Sequence, residues 1–129
     1  MELKAKLYLV DEAGEKYMGI GVLWLLDAVA KEGSLRAGAQ SLGISYSKAF
    51  GMVKHLEDEL GLPVLERKRG GSDRQGATLT PFGKSFMACY DSFQREAKAA
   101  MQEPYARFQK QVKELLRATE GAQSGNQES

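Results

Sequence analysis

The stretch Gly33–Gly83, GSLRAGAQSLGISYSKAFGMVKHLEDELGLPVLERKRGGSDRQGATLTPFG, decides how this chain is read. Ser34 is placed to cap a short helix over Leu35–Leu42, with Leu35, Ala39 and Leu42 on its inner side. Gly43 stands at the turn that follows, where a side chain would resist a positive φ. Ser45 is a second cap. Behind it Ala49, Val53, Leu56 and Leu60 recur at the spacing of a buried helical stripe, predicting a helix that runs to Leu60. Gly61 and Pro63 end that helix. Val64–Arg67 and Ala77–Leu79 read as short strands around the glycine-rich loop Lys68–Gly76. Thr80-Pro81 then opens another helix, a cap followed by proline at the first helical position.

Working outward, Leu3, Ala5, Leu7 and Leu9 alternate with Lys4, Lys6 and Tyr8, the period of a half-buried strand. Asp11–Glu15 is a polar turn and Lys16–Gly19 a short return strand. Val22, Leu25, Leu26 and Val29 predict a helix over Ile20–Lys31, stopped by Gly33. On the other side Phe82, Phe86, Cys89, Tyr90, Phe93, Ala97 and Ala100 recur every three or four residues as a long apolar seam. Pro104 should break or kink that helix near Glu103, after which Tyr105, Phe108, Val112, Leu115 and Leu116 resume the spacing. The expected fold is mainly α with a small β component: a winged helix-turn-helix with an N-terminal strand pair and a long C-terminal dimerisation helix. Residues 1–80 would form the DNA-binding domain, 81–119 a helical dimerisation segment kinked near 104, and 120–129 a disordered polar tail.

Composition bounds the function. The chain has 129 residues and a formal net charge of +1, little for a nucleic-acid binder taken as a sum. Its distribution matters more, because RKRGGSDR (67–74) holds Arg67, Lys68, Arg69 and Arg74 against Asp73 alone. No apolar run approaches the roughly 18 residues of a membrane span, and the N-terminus lacks the continuous apolar region of a secretory signal. The lone cysteine, Cys89, excludes an internal disulfide framework and fits a reducing cytoplasm.

The chemistry to be expected is that of a DNA interface. On the third helix Tyr46, Ser47, Phe50, Gly51 and Lys54 fall roughly opposite the Ala49/Val53/Leu56 stripe. Ser47 suits a base or phosphate, Lys54 a guanine edge or phosphate, and Tyr46 and Phe50 a thymine methyl. Arg36, Lys48, Arg67, Lys68, Arg69 and Arg74 are candidate phosphate contacts, with Ser45 at the head of the helix. Phe82, Phe86, Tyr90 and Phe93 are the candidate dimerisation residues, their seam being longer and more apolar than so small a core would cover.

The run Gly33-Ser34, Leu42-Gly43-Ile44-Ser45-Tyr46, Val64-Leu65-Glu66-Arg67, Gly70-Gly71, Leu79-Thr80 and Gly83 resembles the N-terminal DNA-binding domain of the molybdate-responsive ModE-type regulators, relatives of the LysR-type proteins. The resemblance spans roughly residues 3–95 and includes the strand pair before the first helix. It implies a prokaryotic, cytoplasmic regulator that associates with the nucleoid through double-stranded DNA and forms homodimers partly through the helix after the wing. Phe50 stands where that family usually has tryptophan, and Gly51 leaves bare a position where related helices often carry a reading side chain. The family's molybdate sensor is a separate C-terminal domain of strands, and nothing after Pro81 here reads as strands, so no small-molecule effector is implied.

Catalysis finds little footing. His55 has only helix neighbours such as Asp58 and Glu59 at hand and reads as a surface residue beside the DNA face. Cys89 reads as a buried small hydrophobe in the seam, and Trp24 as a core or dimer contact. The glycines of the wing lack the Gly-Lys-Ser/Thr ending of a nucleotide loop. No catalytic residue, metal site or cofactor is expected. The alternative to a regulator is a winged-helix protein-interaction or dimerisation module in which Tyr46 and Phe50 meet protein.

Overall fold

The computed structural model describes residues 1–67 and 76–128, with side chains as far as residue 122. Lys68, Arg69 and Arg74 lie outside the described residues. In chain order the elements are β1 (Tyr8–Val10), β2 (Lys16–Gly19), α1 (Ile20–Glu32), α2 (Leu35–Ser41), α3 (Tyr46–Leu60), β3 (Leu65–Arg67), β4 (Ala77–Leu79), α4 (Pro81–Ala100) and α5 (Gln102–Glu128). Lys6–Phe93 forms one compact unit, and Met1–Ala5 with the residues from Gln94 onward forms another.

In the first unit β1 pairs antiparallel with β2, Tyr8 opposite Gly19 and Leu9 opposite Met18, with a bulge between Leu9 and Val10. The first strand is shorter than the alternation from Leu3 predicts. β2 turns into α1 at Ile20, so residues before Tyr8 have no partner strand to satisfy their backbone. Asp11 organises the hairpin turn: its Oδ1 accepts from the backbone N–H groups of Ala13 and Glu15, each at 2.9 Å.

The core gathers where α1, α2 and α3 cross. Met18, Leu25, Leu26, Val29, Val53, Leu56 and Val64 are all but fully buried. Gly38 lets α2 lie close on α1, since a Cβ there would come within 3.0 Å of Val29 Cγ2. Ser34 caps α2 by accepting from Ala37 N–H at 3.0 Å, and Ser45 caps α3 by accepting from Lys48 N–H at 3.1 Å. Between the two helices Gly43 takes φ of +71°, the left-handed conformation its turn demands. Leu42 departs from expectation: it is 39% exposed, because α2 closes at Ser41 and Leu42 belongs to the turn rather than to the inner face.

β3 and β4 form the stem of the wing, with Leu65 opposite Leu79, Glu66 opposite Thr78 and Arg67 opposite Ala77. The stem is anchored at three places. Ala77 N–H donates to Gly33 O at 2.8 Å, Thr80 N–H to Val64 O at 3.0 Å, and Thr80 Oγ1 to Pro63 O at 2.8 Å. Thr80 also caps α4, accepting from Gly83 N–H at 2.9 Å.

The inner face of α4 is set by Gly83. A Cβ there would stand 2.4 Å from Val64 O, so the helix abuts the backbone where β3 begins. That docking turns Gly83 and Tyr90 inward, leaves Phe82 and Phe86 half-buried, and brings Cys89 and Phe93 to the surface. Two expectations are corrected. Cys89 is exposed rather than buried in the seam. Tyr90 is 4% exposed and donates through its hydroxyl to Leu7 O at 2.8 Å, so it is occupied within its own unit rather than presented to a second copy. Burial pushes the Tyr90 phenol pKa up.

In the second unit the helix breaks at Met101, between α4 and α5, three residues ahead of Pro104. A proline ring clashes with the carbonyl four residues earlier, here Ala100, the last residue of α4. Pro104 itself sits in the first turn of α5, where its missing N–H removes no helical bond. α5 continues to Glu128, past the polar residues read as a tail; beyond Pro104 these contain no proline, and a glycine such as Gly121 costs only about 1 kcal/mol. Phe108, Leu115 and Leu116 on α5 are more than half exposed.

Candidate nucleic-acid interface

Ala49, Val53 and Leu56 hold α3 against the core, and that fixes what its other sides present. At about 100° per residue, Ser47, Gly51, Lys54 and Asp58 lie farthest from the stripe and form the outermost ridge. Tyr46 and Phe50 lie to one side of that ridge, and Lys48, Met52 and His55 to the other. The single outward face expected from sequence is therefore divided in two.

The aromatic side is covered by cations. The Arg36 guanidinium, from the first turn of α2, lies 4.4 Å from the Tyr46 ring centroid. The Arg67 guanidinium, from the end of β3, lies 4.9 Å from that of Phe50. The two rings are 6.2 Å apart, tilted by 39°. Arginine, ring, ring and arginine thus form one layer joining α2, α3 and the wing stem. Tyr46 and Phe50 remain 36% and 37% exposed, so the layer is open to a partner. Stacking on the exposed rings also restricts where each guanidinium can sit.

Along α3 the charge changes sign. Lys48 and Lys54 lie ahead of Glu57, Asp58 and Glu59, so a polyanion is attracted to the N-terminal half and repelled from the end. Lys54 Nζ lies 3.6 Å from Asp58 Oδ1, both well exposed; such a surface pair is weak and leaves the lysine available to a phosphate. Ser45 is spent on its cap, and Ser47 is exposed at the head of the ridge. Lys48 faces the α1 side, away from the aromatic layer.

Sequence reading missed two residues here. Glu57 Oε2 accepts from Val64 N–H at 2.8 Å and from Leu65 N–H at 3.3 Å, tying the start of β3 to α3 and fixing the angle between helix and wing. A carboxylate seven residues before a strand gives no local signal of that. His55, expected to have only helix neighbours, donates through Nε2 to Asp11 Oδ2 at 2.9 Å across 44 positions of sequence. The Asp11 carboxyl is held below its ordinary value, first by the Glu15 backbone N–H and then by His55. Asp11, His55 and Glu59 bring potential metal ligands within 4.8 Å of one another, an arrangement able to accept a divalent cation. Trp24 is 58% exposed, which removes the core reading for it.

A helix-turn-helix whose second helix stands out beside a two-stranded wing, flanked by arginines, is the winged helix of DNA-binding domains. Residues 21–84 match the family of bacterial regulatory helix-turn-helix proteins of the LysR family, and the chain carries a LysR-type helix-turn-helix domain there. Among curated proteins it is 35% identical over 90 residues to the molybdenum-pterin-binding protein MopB of Rhodobacter capsulatus, across 70% of this chain and 33% of that protein. It is 34% identical over 67 residues to the DNA-binding transcriptional dual regulator ModE of Escherichia coli K12, across 52% of this chain and 26% of that one. The chain thus spans about a third or less of the length of these relatives. Among solved structures it is similar to the CbnR DNA-binding domain in complex with DNA, at 27% identity and a TM-score of 0.54, over 69% of this chain and 97% of that one. Full-length OxyR of Pseudomonas aeruginosa matches at 26% identity and a TM-score of 0.51, over 69% of this chain and 28% of that one. Among the described residues no helix is long and apolar enough to cross a membrane.

Proposed function

We propose that this protein is a sequence-specific DNA-binding transcriptional regulator that acts as a homodimer in a bacterial cytoplasm. The observation that carries the reading is the layer of Arg36, Tyr46, Phe50 and Arg67, two guanidiniums stacked on the aromatic side of the exposed head of α3. In use, the N-terminal half of α3 enters the major groove. Ser47 and Lys54 reach base edges, and Tyr46 and Phe50 lie against sugar or thymine methyl groups. Arg36, Lys48 and Arg67, with Lys68, Arg69 and Arg74 of the wing, hold phosphates on either side and set the register without reading sequence. Phe82, Phe86 and Phe93 of α4 supply the dimer contact; Tyr90 takes no direct part. The DNA complex of the CbnR domain and the name of the E. coli ModE relative support this reading. They support no effector for this chain.

Salt dependence of binding to duplex DNA is the test. Neutralising several phosphates makes the logarithm of affinity fall linearly with the logarithm of salt concentration, by about one unit of slope per contact. A slope of several units is expected; a slope near zero would favour the protein-interaction module instead.

A further inference from the structure

On the side of α3 away from the aromatic layer lies a cavity of about 600 Å³ between α1, β2 and α3, large enough for a small organic molecule. Trp24, Leu42, Ile44 and Met52 give it apolar walls; Lys16 and Lys48 line it as cations, and His55 lines it with its Nε2 turned to the Asp11 carboxylate at 2.9 Å. Two glycines keep it open. A Cβ built at Gly21 of α1 or at Gly51 of α3 meets nothing within 4 Å. Gly51 lies mid-helix, where glycine weakens the element that presents the DNA face and no neighbour demands the missing side chain. Trp24 and Leu42 are left 58% and 39% exposed at the same place. An apolar hollow with an indole on one wall, bordered by Lys48 and by Lys16, whose ammonium lies 5.7 Å from the Tyr8 ring centroid, suits a hydrocarbon or aromatic body ending in an anion.

We propose that this cavity binds a small amphipathic carboxylate, its body against Trp24 and Met52 and its carboxylate paired with Lys16 and Lys48. Since Lys48 is also a candidate phosphate contact, the occupied site competes with DNA for it. That second statement rests on the DNA-binding reading above.

Trp24 is the chain's one tryptophan, so its emission reports the site directly. Sodium octanoate added to the DNA-free protein should shift the emission to the blue with a saturable, single-site curve. Lys16→Gln should weaken octanoate about tenfold, as loss of a hydrogen-bonded charge does, and leave the weaker binding of octan-1-ol unchanged. Gly21→Leu, which adds a side chain into open space and favours the helix, should abolish the octanoate response without lowering the melting midpoint. A linear, unsaturable response, or a blue shift produced by raising protein concentration alone, would overturn the site; the latter would mean that a second copy covers it. In a separate arm, octanoate should weaken duplex binding by the wild type and not by Gly21→Leu. Octanoate binding with unchanged DNA affinity would overturn the competition. Failure to bind any duplex would overturn the DNA reading, whereas the fluorescence result would still decide the cavity.

Discussion

On the proposed function, Ser47 and Lys54 would read bases on the helix that Leu56 holds to the core. Ser47 and Lys54 are exposed, while Leu56 is fully buried among Leu25, Leu26 and Val53. Ser47→Ala or Lys54→Ala should change the unfolding free energy by less than about 0.5 kcal/mol while shifting base preference by roughly 1–3 kcal/mol. Leu56→Ala should cost about 2–5 kcal/mol of stability through the cavity it leaves. Melting curves paired with binding to a panel of operator variants check both; early melting of the Ser47 variant with unchanged preference would mean that α3 presents another face. Asp11 supplies a pH prediction. Its carboxyl is depressed below the ordinary 3.8, chiefly by the Glu15 N–H and then by His55, so its contribution is fully present above that value. The contribution is lost as pH falls through the lower folded value. Asp11→Asn should therefore melt earlier than the wild type at neutral pH, and the two should converge in acid; a gap that persists at the lowest pH would contradict this.

The helices and their caps were legible because each is a local pattern: the Ser34 and Ser45 caps, the Gly43 turn and the Ala49/Val53/Leu56 stripe all appear as the sequence predicts. What was not legible depends on partners distant in sequence. The first strand is cut at Tyr8 by the length of β2, and α4 is rotated by the approach of Gly83 to Val64, which no periodicity announces. Gly83→Ala should force α4 off the wing stem and cost about 1–3 kcal/mol, seen as a lowered melting midpoint; an unchanged midpoint would mean that the helix docks through its phenylalanines instead. Glu57, unremarkable in sequence, links α3 to β3, and the Arg36 and Arg67 stacks were visible only as separate charges. The wing itself has an electrostatic signature to test. Arg67, Lys68 and Arg69 replaced together by alanine should weaken binding to every duplex by a similar factor and flatten the salt slope by about one unit per lost contact. Loss confined to a preferred operator, with the slope unchanged, would make them base readers.

At the scale of the whole molecule, the chain carries a winged helix-turn-helix and, on α4 and α5, exposed apolar side chains. Phe93 is 49% exposed on α4, and Phe108, Leu115 and Leu116 are exposed on α5, more apolar surface than a lone helical segment ordinarily leaves to water. Sedimentation should give a dimer at micromolar concentration, and Phe93→Lys should shift it toward monomer; a monomer with and without DNA would remove the two-fold symmetry. A symmetric dimer should in turn read a palindrome whose half-sites lie about one helical turn apart, or a multiple of it. The most direct test of sequence reading by α3 is selection of duplexes from a random pool, followed by the affinity ratio of the selected site to a scrambled one at physiological salt. A palindromic consensus and a ratio of about 10³ or more are expected, the ratio being reduced by Ser47→Ala and Lys54→Ala. No consensus, or a ratio near one with the wild type, would contradict sequence reading by this helix.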